Sequence, residues 1–153
     1  MLSPNLGPTS QLSRSDPPAL LAVLLAATGL TQTDAAKLLG VAGRTMRRWV
    51  EGRAIPPASV FDRLAALARA LDQAADAKVR WMDPPGGTPP AMVVYRRNRD
   101  LPPSCGWRTA GCHLAMVRRI VERRPDVRLV SYQRWPYRRW LGDRADTEEK
   151  RAE

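Results

Sequence analysis

The feature that most limits how this chain can fold is the spacing of two small residues, Ala36 and Gly40, within Gln32–Trp49, QTDAAKLLGVAGRTMRRW. Two short helices joined by a tight turn must cross at close range. The first of them needs a small side chain where the second lies over it, and Ala36 supplies one. The turn needs a residue that tolerates positive φ, and Gly40 supplies it four residues later. Val41, Met46 and Trp49 stand where apolar anchors must hold the following helix to a core. This spacing is that of a helix-turn-helix.

Proline punctuates the rest of the chain in five pairs: Pro17-Pro18, Pro56-Pro57, Pro84-Pro85, Pro89-Pro90 and Pro102-Pro103. Proline fits the first turn of a helix and disfavours helix just before it. The first two pairs therefore open helices. Asp16 can cap the first, which is expected to bury Leu20, Leu21, Leu24, Leu25 and Ala27 and to stop near Gly29. Thr31 caps a second helix over Gln32–Leu39, with Asp34 three residues on as a variant capping box. The third runs Gly43–Glu51 and ends at Gly52. The fourth begins at Pro57 and carries Val60, Leu64, Leu67, Ala68 and Leu71 at helical spacing, extending toward Trp81.

After Trp81 the pattern changes. Asp83–Pro90, DPPGGTPP, reads as a linker. Met92–Tyr95 and Val127–Tyr132 are short β-prone runs. Between them Leu114, Val117, Ile120 and Val121 mark one face of a helix that must end before Pro125. The expected fold class is mainly α: an N-terminal bundle of about four helices, then a small α+β module of strand, helix and strand. The expected boundaries are a disordered arm at 1–16, a DNA-binding domain at 17–82 and a linker at 83–90. A dimerisation module at 91–141 and a flexible tail at 142–153 follow.

Composition sets the partner class. The 153 residues leave room for one ordinary domain or two small modules. Lys+Arg number 25 against 15 Asp+Glu, a net charge of +10. Such a field favours a polyanion, nucleic acid first and an anionic membrane surface second. Residues 96–139 hold 12 basic and 3 acidic side chains, so most of the excess lies outside the helix-turn-helix. Lys37, Lys78 and Lys150 are the only lysines. Arginine suits bidentate contact with phosphate and guanine, and a GC-rich genome explains the bias equally well.

Other classes are disfavoured. The apolar run Ala19–Leu30 is too short to span a bilayer and lacks a convincing signal-cleavage site. It reads as a buried helix in a cytoplasmic protein, with no membrane partner. Two cysteines cannot build a disulfide framework. Cys105, Cys112 and His113 form a C-x6-C-H cluster that lacks the four ligands and tight pairs of a zinc site. They read as reduced thiols and a surface or core histidine. No paired carboxylates, nucleophile–base set or glycine-rich phosphate loop stands out. Neither an enzyme nor a cofactor or metal is expected.

Leu30–Pro57, LTQTDAAKLLGVAGRTMRRWVEGRAIPP, resembles the Cro/C1-type (XRE) family of helix-turn-helix regulators, over about Pro17 to Leu71. The resemblance rests on the glutamine opening the second helix, the Ala…Gly…Trp frame, and Glu-Gly-Arg before proline after the third helix. With Met46 and Trp49 turned inward, Gly43, Arg44, Arg47 and Arg48 turn outward or sideways. The resemblance implies base reading by Gly43, Arg44, Thr45 and Arg48 in the major groove. It implies phosphate contact by Gln32, Thr33, Arg47 and Arg53. Each arginine on guanine O6 and N7 gives about 1–3 kcal/mol of discrimination. For Arg47 and Arg53 a solvated surface charge is the bland alternative. Ala42 departs from the family's serine or threonine cap, and Ala is a poorer cap by ~1 kcal/mol.

Gly106-Trp107-Arg108, leading into a helix and a strand, weakly resembles the C-terminal part of anti-CRISPR-associated autorepressors. That implies a homodimer repressing its own operon from an inverted repeat, in a bacterium or a phage. Tyr132–Trp140, YQRWPYRRW, interleaves aromatics with arginines. Arg134, Trp135, Arg138 and Arg139 could hold unpaired bases and phosphate, or the aromatics could pack on the module's own core. Three functions therefore stay open: a repressor of double-stranded DNA, an RNA-binding or dual regulator, and an antitoxin of a toxin–antitoxin pair.

Overall fold

The computed structural model describes residues 15–82, 90–144, 146–147 and 150–151. The expected arm up to residue 14 and the linker at 83–89 lie outside the described residues. The fold is mainly helical, with six helices and one two-stranded sheet among the described residues. The chain divides into two compact units, Met1–Arg69 and Ala70–Glu153.

The first unit begins with α1, Pro17–Thr28. The Asp16 carboxylate accepts from the Ala19 N–H at 3.3 Å, and the prolines occupy the first turn. Gly29, at φ 68°, stops the helix. Leu21 and Leu25 are buried, whereas Leu20, Leu24 and Ala27 are only half-buried. Thr28 is fully buried instead, its hydroxyl donating to the Leu24 carbonyl at 2.8 Å, so that its polar atom is satisfied. Helix α2 covers Gln32–Leu39 and α3 covers Gly43–Val50. The long helix α4, Ala58–Trp81, spans the boundary between the units. Its Val60, Phe61 and Leu64 join Leu21, Leu25, Ala35, Ala36, Met46 and Trp49 in the core of the first unit. Each large apolar side chain buried there contributes roughly 1.5–3 kcal/mol. No single described helix is long and apolar enough to cross a membrane, and α1 and α2 turn by 95° at their junction.

The second unit is a β-α-β arrangement with additions. Strand β1, Ala91–Val94, pairs in parallel with β2, Arg128–Ser131, in the register Ala91↔Arg128 through Val94↔Ser131. Parallel neighbours need a crossover of a dozen or more residues. Helix α5, Ala110–Arg123, provides it, capped by the Thr109 hydroxyl accepting from the Cys112 N–H at 3.1 Å. Its buried face differs from the expected one. His113, Met116, Val117 and Ile120 turn inward, while Leu114 is 38% exposed and Val121 half-buried. The inward set follows i, i+3, i+4, i+7, and it was hidden because its first member is a histidine. On the rim of the unit, Asp72 and Asp76 of α4 face Arg119 and Arg123 of α5. The Asp72–Arg123 and Asp76–Arg123 contacts are 2.6 and 2.7 Å.

Two further differences lie toward the C-terminus. Arg134–Leu141, within the aromatic-basic segment, is a further helix, α6, beyond the expected strand, helix and strand. Pro136 falls in its first turn, where proline is tolerated. Within the expected flexible tail, Arg151 is 8% exposed. Its guanidinium stands over the rings of Tyr95, Tyr132 and Tyr137 at 5.2, 4.9 and 5.6 Å and pairs with Asp146. Cation–π contact plus a desolvated ion pair fixes this residue where the composition suggested fraying.

Candidate nucleic-acid interface

The turn between α2 and α3 is held by main-chain bonds. Gly40 takes φ 71°, ψ 31°, a left-handed conformation that costs a Cβ-bearing residue about 1 kcal/mol or more. The Val41 N–H then donates back to the Ala36 carbonyl at 3.0 Å, which is a Schellman closure. Ala35 and Ala36 are 0% and 4% exposed, so α2 presents almost no side-chain bulk at the crossing. The last turn of α2 has a second tie, from a residue 25 positions away, that no local pattern reveals. Arg63, from α4, donates Nη2 to the Leu38 carbonyl at 2.8 Å. A cation there satisfies an orphan carbonyl and opposes the helix dipole.

Helix α3 separates its two faces sharply. Met46 and Trp49 are buried, at 0% and 6% exposure. Gly43, Arg44, Arg47 and Arg48 are exposed, and Thr45 is half-buried. Arg44 and Arg48 are one helical turn apart and share a face. Among the described residues neither makes an ion pair, so both guanidiniums are presented with their donors available. A Cβ built on Gly43 meets nothing within 4 Å, so the helix is open to approach at its first residue. Ala42 occupies the cap position at φ −67°, ψ 145° without a side-chain cap bond.

The expected phosphate contacts fall in two places. Gln32 and Thr33 are exposed at the start of α2. Thr31 caps that helix by accepting from the Asp34 N–H at 3.1 Å, and its hydroxyl donates to the Asp34 carboxylate at 2.9 Å. Arg53 follows α3 after Gly52, with its N–H bonded to the Arg48 carbonyl at 2.8 Å. Its side chain is not alone: Nε lies 3.1 Å from the Glu51 carboxylate. Both are exposed, so the pair is weak, yet it competes for any phosphate that Arg53 would hold. Glu51 was visible in the sequence two residues away, and its effect on Arg53 was missed.

The expected C-terminal contacts are differently placed. Arg138 and Arg139 are exposed on α6, while nothing is described of the Arg134 and Trp135 side chains. Tyr132 and Tyr137 meet edge to face with centroids 5.4 Å apart and share the Arg151 guanidinium. Their rings are used internally. Of the arginines in 96–139, Arg118, Arg119, Arg123 and Arg124 are paired with carboxylates. Arg96, Arg97, Arg99, Arg108 and Arg128 are exposed. His113 is 2% exposed, with Nε2 3.2 Å from the Val93 carbonyl, which makes it a core histidine. Cys105 and Cys112 form no disulfide, and no group of three or more metal-ligating side chains occurs among the described residues.

Comparison with known families matches residues 19–77 to the helix-turn-helix domain. The match spans α1 to the greater part of α4 and contains the base and phosphate positions expected in the helix-turn-helix, but not the expected C-terminal contacts at 134–139. It supports a DNA-binding regulator. A comparison with curated proteins gave no match.

Proposed function

We propose that the chain is a sequence-specific, double-stranded DNA-binding repressor of the Cro/C1 type, acting as a homodimer on an inverted-repeat operator. The observation that carries this reading is α3. Its buried Met46 and Trp49 fix the helix rotation, and its exposed face sets Arg44 and Arg48 side by side. An α-helix fits the major groove, where arginine reads guanine through O6 and N7. Gly43 brings the helix start close to the base edges, and Thr45 and Arg47 flank the reading pair. Gln32, Thr33 and Arg53 would hold phosphate on either side, fixing register without reading sequence. One such motif gives too little affinity by itself, so two copies reading half-sites about one helical turn apart are proposed. Autoregulation places the operator in the DNA just upstream of the gene.

The test is a footprint and a gel-shift titration on that upstream DNA. Arg44→Ala and Arg48→Ala each lose about 1–3 kcal/mol of discrimination, and the double variant loses sequence preference altogether. Full sequence preference in both single variants overturns the assignment of α3.

The exposed arginines of the second unit favour a second nucleic-acid contact, to flanking phosphate or to RNA. Arg138 and Arg139 are the proposed contacts on α6. With Tyr132 and Tyr137 packed internally, such a contact is electrostatic rather than a stacking platform. Arg138→Gln with Arg139→Gln then lowers the salt slope of binding by about 2.

A further inference from the structure

The sheet of the second unit has two edges, and they differ. The Arg128 and Tyr132 N–H groups donate to the Pro90 and Val94 carbonyls at 2.8 and 3.1 Å, so Arg128, Val130 and Tyr132 turn their backbone toward β1. Leu129 and Ser131, between them, turn their N–H and C=O groups away. On the far side of β1 the same alternation points the Val93 carbonyl outward, and the buried His113 ring meets it through Nε2 at 3.2 Å. That strand is also enclosed: Met92 and Val93 are 4% and 1% exposed. The edge of β2 is open. Arg128, Leu129 and Ser131 are exposed, Leu129 at 45%. Among the described residues no hydrogen bond reaches the outward groups of Leu129 or Ser131. An unpaired edge carrying an exposed leucine is a template for another strand.

From this edge we infer that β2 pairs antiparallel with β2 of a second copy of the chain, joining two second units in a continuous four-stranded sheet. The inference supplies the contact for the homodimer proposed above and rests on that part of the reading. One register uses both outward residues. With Val130 on the two-fold axis, Leu129 lies opposite Ser131 of the second copy, and each such pair exchanges both of its N–H···O bonds. The Val130 side chains then meet across the axis, with about 4.5 Å between Cα atoms. The two Leu129 side chains become diagonal neighbours on one face, about 7–8 Å apart and within reach of each other. A register centred on Leu129 would need the Val127 N–H, which already donates to the Arg124 carbonyl at 3.1 Å. One centred on Ser131 would need Gln133, which lies past the end of β2 and caps α6. Charge agrees with the Val130 register. Arg128 faces Tyr132 of the second copy, and the two Arg128 residues stand roughly 13 Å apart, beyond the ~8 Å screening length at physiological salt. Because His113 and burial close the far edge of β1, the sheet stops at four strands, which makes a closed dimer and not a fibre.

The test is sedimentation equilibrium of the full chain without DNA, so that it is independent of whether α3 reads bases. The unsubstituted chain is expected to be a dimer. Proline removes an N–H and is accepted on an edge strand where that N–H points outward. Ser131→Pro is therefore expected to keep its melting temperature and to weaken the dimer at least tenfold. Leu129→Lys, at an exposed position, leaves every main-chain bond to β1 in place and is expected to weaken the dimer likewise. Val130→Cys is expected to give a disulfide-linked dimer on oxidation with diamide. Arg128→Cys, too far from its copy to be bridged, is not, and neither is the unsubstituted chain with its free Cys105 and Cys112. A full-strength dimer in both Ser131→Pro and Leu129→Lys overturns the edge contact and leaves the homodimer to form elsewhere. Linkage of Arg128→Cys as readily as of Val130→Cys overturns the register. A monomeric unsubstituted chain overturns the inference together with the homodimer, and leaves the DNA contact of α3 to its own test.

Discussion

A Cβ placed on Gly52 would stand 3.1 Å from Cγ of Pro18, so the end of α3 closes directly against the start of α1. Gly52 also takes φ 71°. Gly40 has the same φ, but a Cβ there meets nothing within 4 Å. The two glycines thus separate backbone strain from crowding. Gly40→Ala is expected to cost about 1 kcal/mol, the left-handed penalty alone. Gly52→Ala adds a contact tighter than proline can relieve freely, and its cost is expected at about 2 kcal/mol. Urea unfolding of both variants measures the difference. Equal losses would remove any special role for the Pro18 contact.

The uncapped start of α3 offers a gain in stability. Ala42 already holds the extended φ and ψ of a cap residue, so a serine fits without backbone change. Ala42→Ser is expected to stabilise the first unit by about 1 kcal/mol through a hydroxyl accepting from an N–H of the first turn. Thermal unfolding checks this. A serine is preferable to an aspartate, whose negative charge would sit beside the proposed reading face at Gly43 and Arg44 and repel DNA.

These three variants mark what the sequence made legible. The helices of the first unit end where local chemistry stops them: Asp16 and Thr31 cap, and Gly29, Gly40 and Gly52 turn left-handed. Such signals act within a few residues, so they can be read along the chain. The outward set of Arg44 and Arg48 was legible for the same reason, given Met46 and Trp49 as inward markers. The second unit depends on distant partners. Arg151 is held by tyrosines at 95, 132 and 137, which no local pattern brings together. His113 misled for a different reason: a polar residue type hid the inward face of α5, although its spacing with Met116, Val117 and Ile120 was present.

The Arg53–Glu51 pair gives a prediction about binding rather than stability. At 3.1 Å and largely exposed, the pair adds little to folding. Its effect on a polyanion is larger, because the carboxylate both occupies Arg53 and repels phosphate. Glu51→Gln is therefore expected to tighten DNA binding by several-fold and to steepen its salt dependence by about one ion, with unfolding unchanged. Titrations at two salt concentrations test both. Weaker binding by this variant would mean that Glu51 positions Arg53 instead of competing for it.

The cluster around Arg151 makes stability depend on alkaline pH through Tyr137. The Tyr137 hydroxyl donates to the Asp146 carboxylate at 2.7 Å. Burial first, then that hydrogen bond and the negative charge of Asp146, push the phenol from 10 up to about 12. Below pH 10 the phenol is neutral in both folded and unfolded chains, and its bond contributes in full. Between pH 10 and 12 the unfolded chain ionises while the folded one stays neutral, so stability falls across that window. Asp146 works at the other end: the Arg151 guanidinium holds its carboxyl below the usual range, so its contribution is present above about pH 4 and is lost as the pH falls. Tyr137→Phe is expected to cost about 1 kcal/mol at pH 7 by removing the bond. The gap between variant and unsubstituted chain then narrows above pH 10, because phenylalanine has no proton to lose. Denaturant titrations at pH 7, 9 and 11 follow it. A gap that stays constant to pH 11 would show that Tyr137 ionises as readily in the folded chain as in the unfolded one.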